Sequence, residues 1–524
     1  LTAFVVEFMV CAMRRAPLVL ITAVLAVPMG LLVSDCKSDP RVSSYMSSSP
    51  PRPVDVSIPA GFKPVDLPDP KIAGFEFPEP SKTVQGWANS NDVDAMAKHA
   101  WGVWTALTMD SGQSFEGEPL RVFETWYTLD DLLDAEPTQS ASRRAPRPLG
   151  ELEQLARGRE KKGGAGPQST TPPSNASPGP NMRQETGERE LAGFIKFNPP
   201  AAEHIARNGL ISTPRLAALV DSGATKIPSF PNTSVSIKAI YSFYATTESG
   251  PARADAGNPA APYALFPVWS GPTNPPAPSP AQTWKSCVWI DLLDTTDGLA
   301  TSEVDTKCDP SGASRTPATT YGLGRFIHFT VTAPEVAAQS APSGRSVGSE
   351  VNVGDVVVLA GMHVTTRETE GWTWETFFWT PAPDDPPTPS SRAFASDRPD
   401  QLTGAPRGYA SCAILSMQLP AQPLTGGATD GESVYCYNPY LEAQFTPKIL
   451  PESKPGTFEG KTVRNDVGSE TNCMACHAQA TFASPGKKAP SYTGDRYVDL
   501  ASPEFAGLLQ TDFLWSLPDT AATP

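Results

Sequence analysis

Two thiols and an imidazole stand together in one short stretch of this chain: Cys473, Cys476 and His477 in "SETNCMACHAQATF", Ser469 to Phe482. Cysteines three positions apart can add to the two vinyl groups of a haem, and the histidine that follows is then held beneath the iron as its proximal ligand. The spacing predicts one covalently attached haem c, with Cys473 and Cys476 as the thioether positions and His477 as an iron ligand. Three other chemistries use the same residue types. A zinc ribbon needs a second ligand pair, and only the widely spaced Cys412 and Cys436 are on offer. A thioredoxin-type redox pair sits at a strand-to-helix turn of an α/β pattern, which this segment lacks. A plain structural disulfide leaves the adjoining histidine unexplained.

Residues 478 to 524 contain neither methionine nor histidine. An ordinary small cytochrome c, which the motif resembles locally, takes its distal methionine well downstream, so any sixth protein ligand here must come from upstream. The residues after the motif are also too few to wrap a haem alone, so the group must lean on the preceding region. In "VVVLAGMHVTTRE", strand alternation puts Val356, Val358, Ala360, Met362 and Val364 on one face and His363 on the other. Met362 and His363 therefore cannot both point at the iron, and His363 is the leading candidate for a distal ligand. His328 in "FIHFTV" and Met417 in "AILSMQL" are alternatives, as is an iron with no sixth protein ligand. His99 and His204 fall in helical stretches and read as structural.

The elements that must position these residues follow from composition and period. With 57 prolines and 40 glycines in 524 residues, long parts of the chain are loop or extended linker. A formal charge of −15 argues against a nucleic-acid partner, because phosphate binding needs clustered Lys and Arg. Residues 1–35 read as a signal sequence, with Met13-Arg14-Arg15 before the apolar run Ala16 to Val33; an uncleaved anchoring helix is the competing reading. Leu32-Val33-Ser34-Asp35-Cys36 resembles a bacterial lipoprotein box. Acylation of Cys36 would attach the chain to the outer membrane; Asp35 departs from the small residue that box requires, and simple cleavage nearby is the other outcome. Export places the protein in the periplasm or on the outer membrane. There Cys287 with Cys308 and Cys412 with Cys436 are spaced to close disulfides, the alternative being buried free thiols.

Residues 36–70 read as a Pro/Ser-rich tether and 71–137 as a mixed segment with a helix from Asn91 ("NDVDAMAKHAWGVWTALT") and a short one over Leu129 to Ala135. Residues 138–190 are rich in charge, Pro and Gly, and read as a disordered insertion. Two short helices follow in Ala201 to Ala224. From Pro228 the period changes to two, and the strand candidates include "TSVSIKAIYSFYA", "YALFPVW", "TWKSCVWIDLL", "RFIHFTVTA", "WTWETFFWT", "CAILSMQL" and "SVYCYNPYL". The fold expected is mainly β with some helices: an antiparallel β-sandwich-like domain over 191–460, then a haem-binding segment over 461–524 packed on it. Ser502, Pro503 and Glu504 predict a helix start, with the helix running from Phe505 to Leu517.

Taken together, "FETWYTLDDL", "IKFNPPAAEHIARNGL", "AGMHVTTRETEGWTWETFFW", "NCMACHAQATF" and "TDFLWSL" resemble a family of exported bacterial monohaem cytochrome c-like proteins, which carry a long β-rich region before the attachment site. The likeness spans most of the mature chain apart from the insertion. Members of that family tend to follow Trp-x-Trp-x-Thr-Phe with Glu-His, whereas Phe378 and Trp379 stand there in this chain. A role for that histidine would be missing here, which favours His363. The resemblance supplies no redox partner. Three function classes remain open: an electron-transfer protein, with Trp372, Trp374, Phe377 and Trp379 as candidate walls of the haem; a haem enzyme or gas-binding protein with an open distal position; and a β-sandwich binding module with an accessory haem.

Overall fold

The computed structural model describes residues 63–115, 117–133, 191–244, 263–271, 281, 284–293, 302–309, 311–330, 354–442, 457–458, 461–462, 471–483 and 496–517. The signal sequence with Cys36, the tether before residue 63 and the 138–190 insertion lie outside the described residues. The chain opens with helices α1 (Ser81–Ser90) and α2 (Val93–Thr108), the hairpin β1 (Asp110–Phe115) and β2 (Glu118–Arg121), strand β3 (Tyr127–Thr128) and helix α3 (Leu129–Leu133). Then come β4 (Leu191–Phe197), α4 (Pro199–Asn208), α5 (Thr213–Asp221), β5 (Val235–Tyr244), β6 (Tyr263–Pro267), β7 (Cys287–Asp291), β8 (Thr320–Gly322) and β9 (His328–Thr330). The long strand β10 (Val356–Thr366) leads to β11 (Thr373–Trp379), α6 (Arg392–Ser396), β12 (Tyr409–Ile414), β13 (Gln418–Leu419), β14 (Glu432–Ser433) and α7 (Pro439–Glu442). After the β15 (Thr457–Phe458) and β16 (Lys461–Thr462) pair, the last elements are α8 (Cys473–His477), β17 (Thr481–Phe482) and β18 (Leu509–Gln510).

A seven-stranded antiparallel sheet organises these parts, in the order β12-β11-β10-β5-β4-β3, with β9 pairing the start of β10. The fold is mainly β and antiparallel with a few helices, as the two-residue period predicts. Each face of this sheet carries its own core. On the first, Met362, Val364, Phe377, Trp379 and Tyr409 meet Ala97, Trp101, Trp104 and Leu107 of α2, together with Phe266, Val288 and Ile290 of the three-stranded sheet β6-β7-β8. Trp104 stacks on Phe377 at 4.3 Å between ring centroids, and its indole N–H donates to the Pro406 carbonyl at 3.1 Å, which satisfies that buried nitrogen. On the second face, Trp374, Cys412 and Ile414 meet Phe197, Ile205 and Leu216, and then Met474, Leu509 and Phe513 from the last sixty residues or so. Residues from both ends of the described chain thus pack against one sheet. Within the expected tether, Val65 and Leu67 pack against the first core, and Trp126 Nε1 donates to the Val65 carbonyl at 2.7 Å.

Several local expectations need correction. Asp92, not Asn91, caps α2, its carboxylate accepting from Ala95 N at 3.0 Å; Asn91 has φ 51° and closes α1, a helix the apolar pattern did not announce. Strand β4 was also missed, and "VYCYNPYL" is not a strand beyond one bridge at Cys436, because Asn438 and Pro439 start α7. The helix over Phe505 to Leu517 does not form. Ser502 does cap a turn, accepting from Glu504 N, but the turn ends at Phe505; Gly507 takes φ 74° and the chain reverses into β18.

Candidate functional site

Helix α8 is a single turn, and its placement is built from outside it. Asn472 caps it by accepting from Ala475 N at 2.8 Å, while its side-chain amide donates to the carbonyls of Ser416 at 3.0 Å and Val434 at 2.8 Å. Beside it, Cys436 N donates to Thr471 O at 3.0 Å, and Cys436 is bonded to Cys412 on β12. The start of α8 is thereby tied to the central sheet. Its end is tied to the last strand: β17 pairs with β18, and Thr511 N donates to Ala480 O at 3.0 Å. Both spacing-based disulfide pairs are present, Cys287–Cys308 and Cys412–Cys436, and Cys473 and Cys476 are the free cysteines among the described residues.

The imidazole of His477 is oriented on two sides. Nδ1 lies 2.7 Å from the Phe513 carbonyl, a distance that assigns it the proton and leaves the Nε2 lone pair free. The ring of Trp374 lies 4.4 Å away, centroid to centroid, and Trp515 Nε1 donates to the Cys476 carbonyl at 3.3 Å. Burial holds His477 in its neutral form, pushing its pKa down to about 3, with nearby Lys238 acting in the same direction. Burial also pushes the Cys476 thiol up to about 12 and Cys473 well above its ordinary value, with the Glu442 carboxylate adding to both. Protonated thiols of this kind are poor exchange nucleophiles. Among the described residues, no group of three or more His, Cys, Asp or Glu side chains is gathered to hold a metal ion. Two reduced thiols and a neutral imidazole are groups able to form two carbon–sulfur bonds and one nitrogen–metal bond.

His363 stands on the same side of the sheet. Strand β10 pairs it with Lys238 on β5 and with Thr376 on β11, and Thr376 in turn pairs with Cys412; Met362 is buried in the opposite core, as alternation requires. Its Nε2 lies 3.0 Å from Glu442 Oε1, a close contact that lacks the angle of a hydrogen bond. Glu442 reaches that position because Asn438, at the start of α7, is itself anchored on the sheet: its amide donates to Thr376 Oγ1 at 2.9 Å and to the Phe377 carbonyl at 3.0 Å.

The other candidates are placed elsewhere or occupied. His328 hydrogen-bonds the Phe326 carbonyl at 2.9 Å and lines a cavity of about 470 Å³ with Asp110, Arg121 and Glu124, away from α8. Met417 is buried in the same core as α8, where its sulfur accepts from Val498 N at 3.2 Å. His204 meets the Pro228 carbonyl at 3.0 Å. His99 is buried between Glu368, at 3.1 Å, and Glu375, at 3.6 Å. Of the four aromatic wall candidates, Trp372 and Trp374 are in the core that holds α8, whereas Phe377 and Trp379 belong to the other face. Sequence reasoning missed Glu442, Lys238 and the Phe513 carbonyl. Alternation marks Lys238 in hindsight, since it shares a face with no residue of the apolar set Val235, Ile237 and Ala239; no local signal marks the other two. Comparison with family models, with curated proteins and with solved structures finds no match, so the functional reading rests on the site's own chemistry.

Proposed function

We propose that this chain is a c-type cytochrome of the bacterial cell envelope, carrying one haem through thioethers at Cys473 and Cys476 and ligating its iron through His477 Nε2. The observation that carries this reading is the pairing of two free thiols on one helical turn with an adjacent imidazole whose Nδ1 proton is committed to the Phe513 carbonyl. When bound, the haem supplies an iron that cycles between ferric and ferrous states, which is the chemistry of electron transfer. The protein's part is to hold the imidazole neutral and correctly turned, to wall its ring with Trp374, and to exclude water with the buried core around Met474, Leu509 and Phe513. His363 is the leading candidate for the sixth ligand; its coordination through Nε2 would trade the Glu442 contact for iron. Export, with or without acylation of Cys36, belongs to the same proposal, because covalent attachment takes place after export.

The Glu442 contact also favours a second reading. An imidazole that stays on Glu442 leaves the sixth position without a protein ligand, which suits a haem that binds a small molecule. Absorption spectra of the exported protein separate the two. Low-spin spectra indifferent to carbon monoxide are the outcome for electron transfer, and a high-spin ferric spectrum with rapid carbon monoxide binding is the outcome for an open site. A c-type pyridine haemochrome that survives acid–acetone extraction is expected in both; extractable haem, or bound zinc, would refute attachment.

A further inference from the structure

The carbonyl that orients His477 sits on a piece of backbone that ordinary residues avoid. Asp512 has φ 49° and Phe513 φ 70°, two successive non-glycine residues in the left-handed region. Side chains with a Cβ enter that region at a cost, and consecutive ones stay there only where the surroundings over-determine them. Here the surroundings are specific. Asp512 Oδ2 accepts from Arg367 Nε at 3.0 Å and from the backbone N–H of Phe230 at 3.2 Å. Arg367 is itself fixed, since its N–H donates to Ser234 O at 2.9 Å, its Nη1 to the Thr369 carbonyl, and its guanidinium lies 6.0 Å from the Trp372 ring centre. The far side of the turn is held by Leu514 N donating to Thr511 O at 3.0 Å. The result is a Phe513 carbonyl aimed at His477 Nδ1 from 2.7 Å.

We infer that Asp512, gripped by Arg367, is a positioning residue for the proximal imidazole: it holds the turn that points the Phe513 carbonyl at His477, and through that hydrogen bond sets how strongly Nε2 donates. The inference rests on the haem reading for its redox consequence, but not for its geometry. A strong Nδ1–H···O=C bond shifts electron density toward Nε2 and keeps one tautomer, which favours ferric over ferrous iron. Loosening the turn weakens that bond, frees the other tautomer and raises the reduction potential.

The test uses Asp512→Ala and Asp512→Asn in the full chain. Asparagine tolerates the left-handed region and keeps an acceptor oxygen, whereas alanine keeps neither. Nitrogen-15 NMR of the haem-free protein reads the His477 ring: the Nδ1–H tautomer alone is expected in wild type and Asp512→Asn, and a mixture in Asp512→Ala. In the haem-loaded protein the reduction potential rises in Asp512→Ala and stays near wild type in Asp512→Asn. Asp512→Ala indistinguishable from wild type in both measurements overturns the inference. Should Asp512→Ala fail to fold, Arg367→Gln is read by the same two measurements with the same expectations. A wild-type protein lacking covalent porphyrin by mass would end the haem reading, and the tautomer measurement would still decide the role of Asp512.

Discussion

Gly361 and Asn438 approach each other so closely that no side chain at 361 could stand between them: a Cβ there would lie 2.5 Å from the Asn438 amide nitrogen and 2.8 Å from the Phe377 carbonyl. That approach is what seats α7 on the sheet and brings Glu442 to His363. Gly361→Ala is expected to destabilise the fold by about 1–3 kcal/mol, as overpacking of a tight site does. Denaturant unfolding checks it, and an unchanged midpoint would show that α7 is seated by something else.

His99 gives the protein a pH dependence with a definite sign. Burial opposes its charge, but Glu368 and Glu375 outweigh burial and raise its pKa from 6.5 to about 10. A group with a raised folded pKa contributes stability that is complete below the unfolded value and is lost as pH rises through the folded one. Burial pushes the Glu375 carboxyl up as well, which acts in the same direction. Stability should therefore decline between pH 6.5 and about 10. Replacing His99 by Phe removes the counter-charge of two buried carboxylates, a loss of about 3–5 kcal/mol at neutral pH, and shifts the decline to lower pH, where buried Glu375 ionises. A pH series of denaturation curves that is flat across this window in wild type would contradict the assignment.

The Cys412–Cys436 disulfide joins β12 to the chain beside α8 and closes a loop with a sequence separation of 24. Its removal by Cys412→Ser with Cys436→Ser is expected to lower stability by about 3 kcal/mol through the unfolded chain's regained freedom. Proteolysis should then cut first near α8, because Cys436 N holds Thr471. Equal stability with and without the bridge, measured by thermal unfolding, would remove its positioning role.

His363→Ala distinguishes ligand from bystander. In the electron-transfer reading the ferric spectrum changes from low to high spin and carbon monoxide binding becomes rapid. An unaltered spectrum would place the sixth ligand elsewhere.

Much of the fold is legible in the sequence. The period of α2 rests on local geometry and placed Trp104 in the core; the alternation of β10 separated His363 from Met362, but the bulge between Leu359 and Gly361 sets Val356 and Val358 on the face opposite Met362 and Val364, against the expected single face. The attachment motif is local too. What stayed hidden depends on contacts far apart in sequence. Phe505, Leu508 and Leu509 are spaced like one helical face, yet Gly507 and the left-handed pair at Asp512 and Phe513 bracket a short strand that pairs with β17. Glu442 meets His363 where Gly361 leaves room for Asn438, and the Phe513 carbonyl meets His477 from a turn whose Asp512 is bonded to Arg367, 145 residues earlier. No periodicity encodes either meeting.

The central claim is a covalent one, and mass spectrometry tests it most directly. Digestion of the protein matured in a periplasm equipped for haem attachment should yield the peptide with Cys473, Cys476 and His477 carrying the added mass of one iron porphyrin. The same peptide recovered with two unmodified thiols, under conditions that load a control cytochrome, would contradict the account.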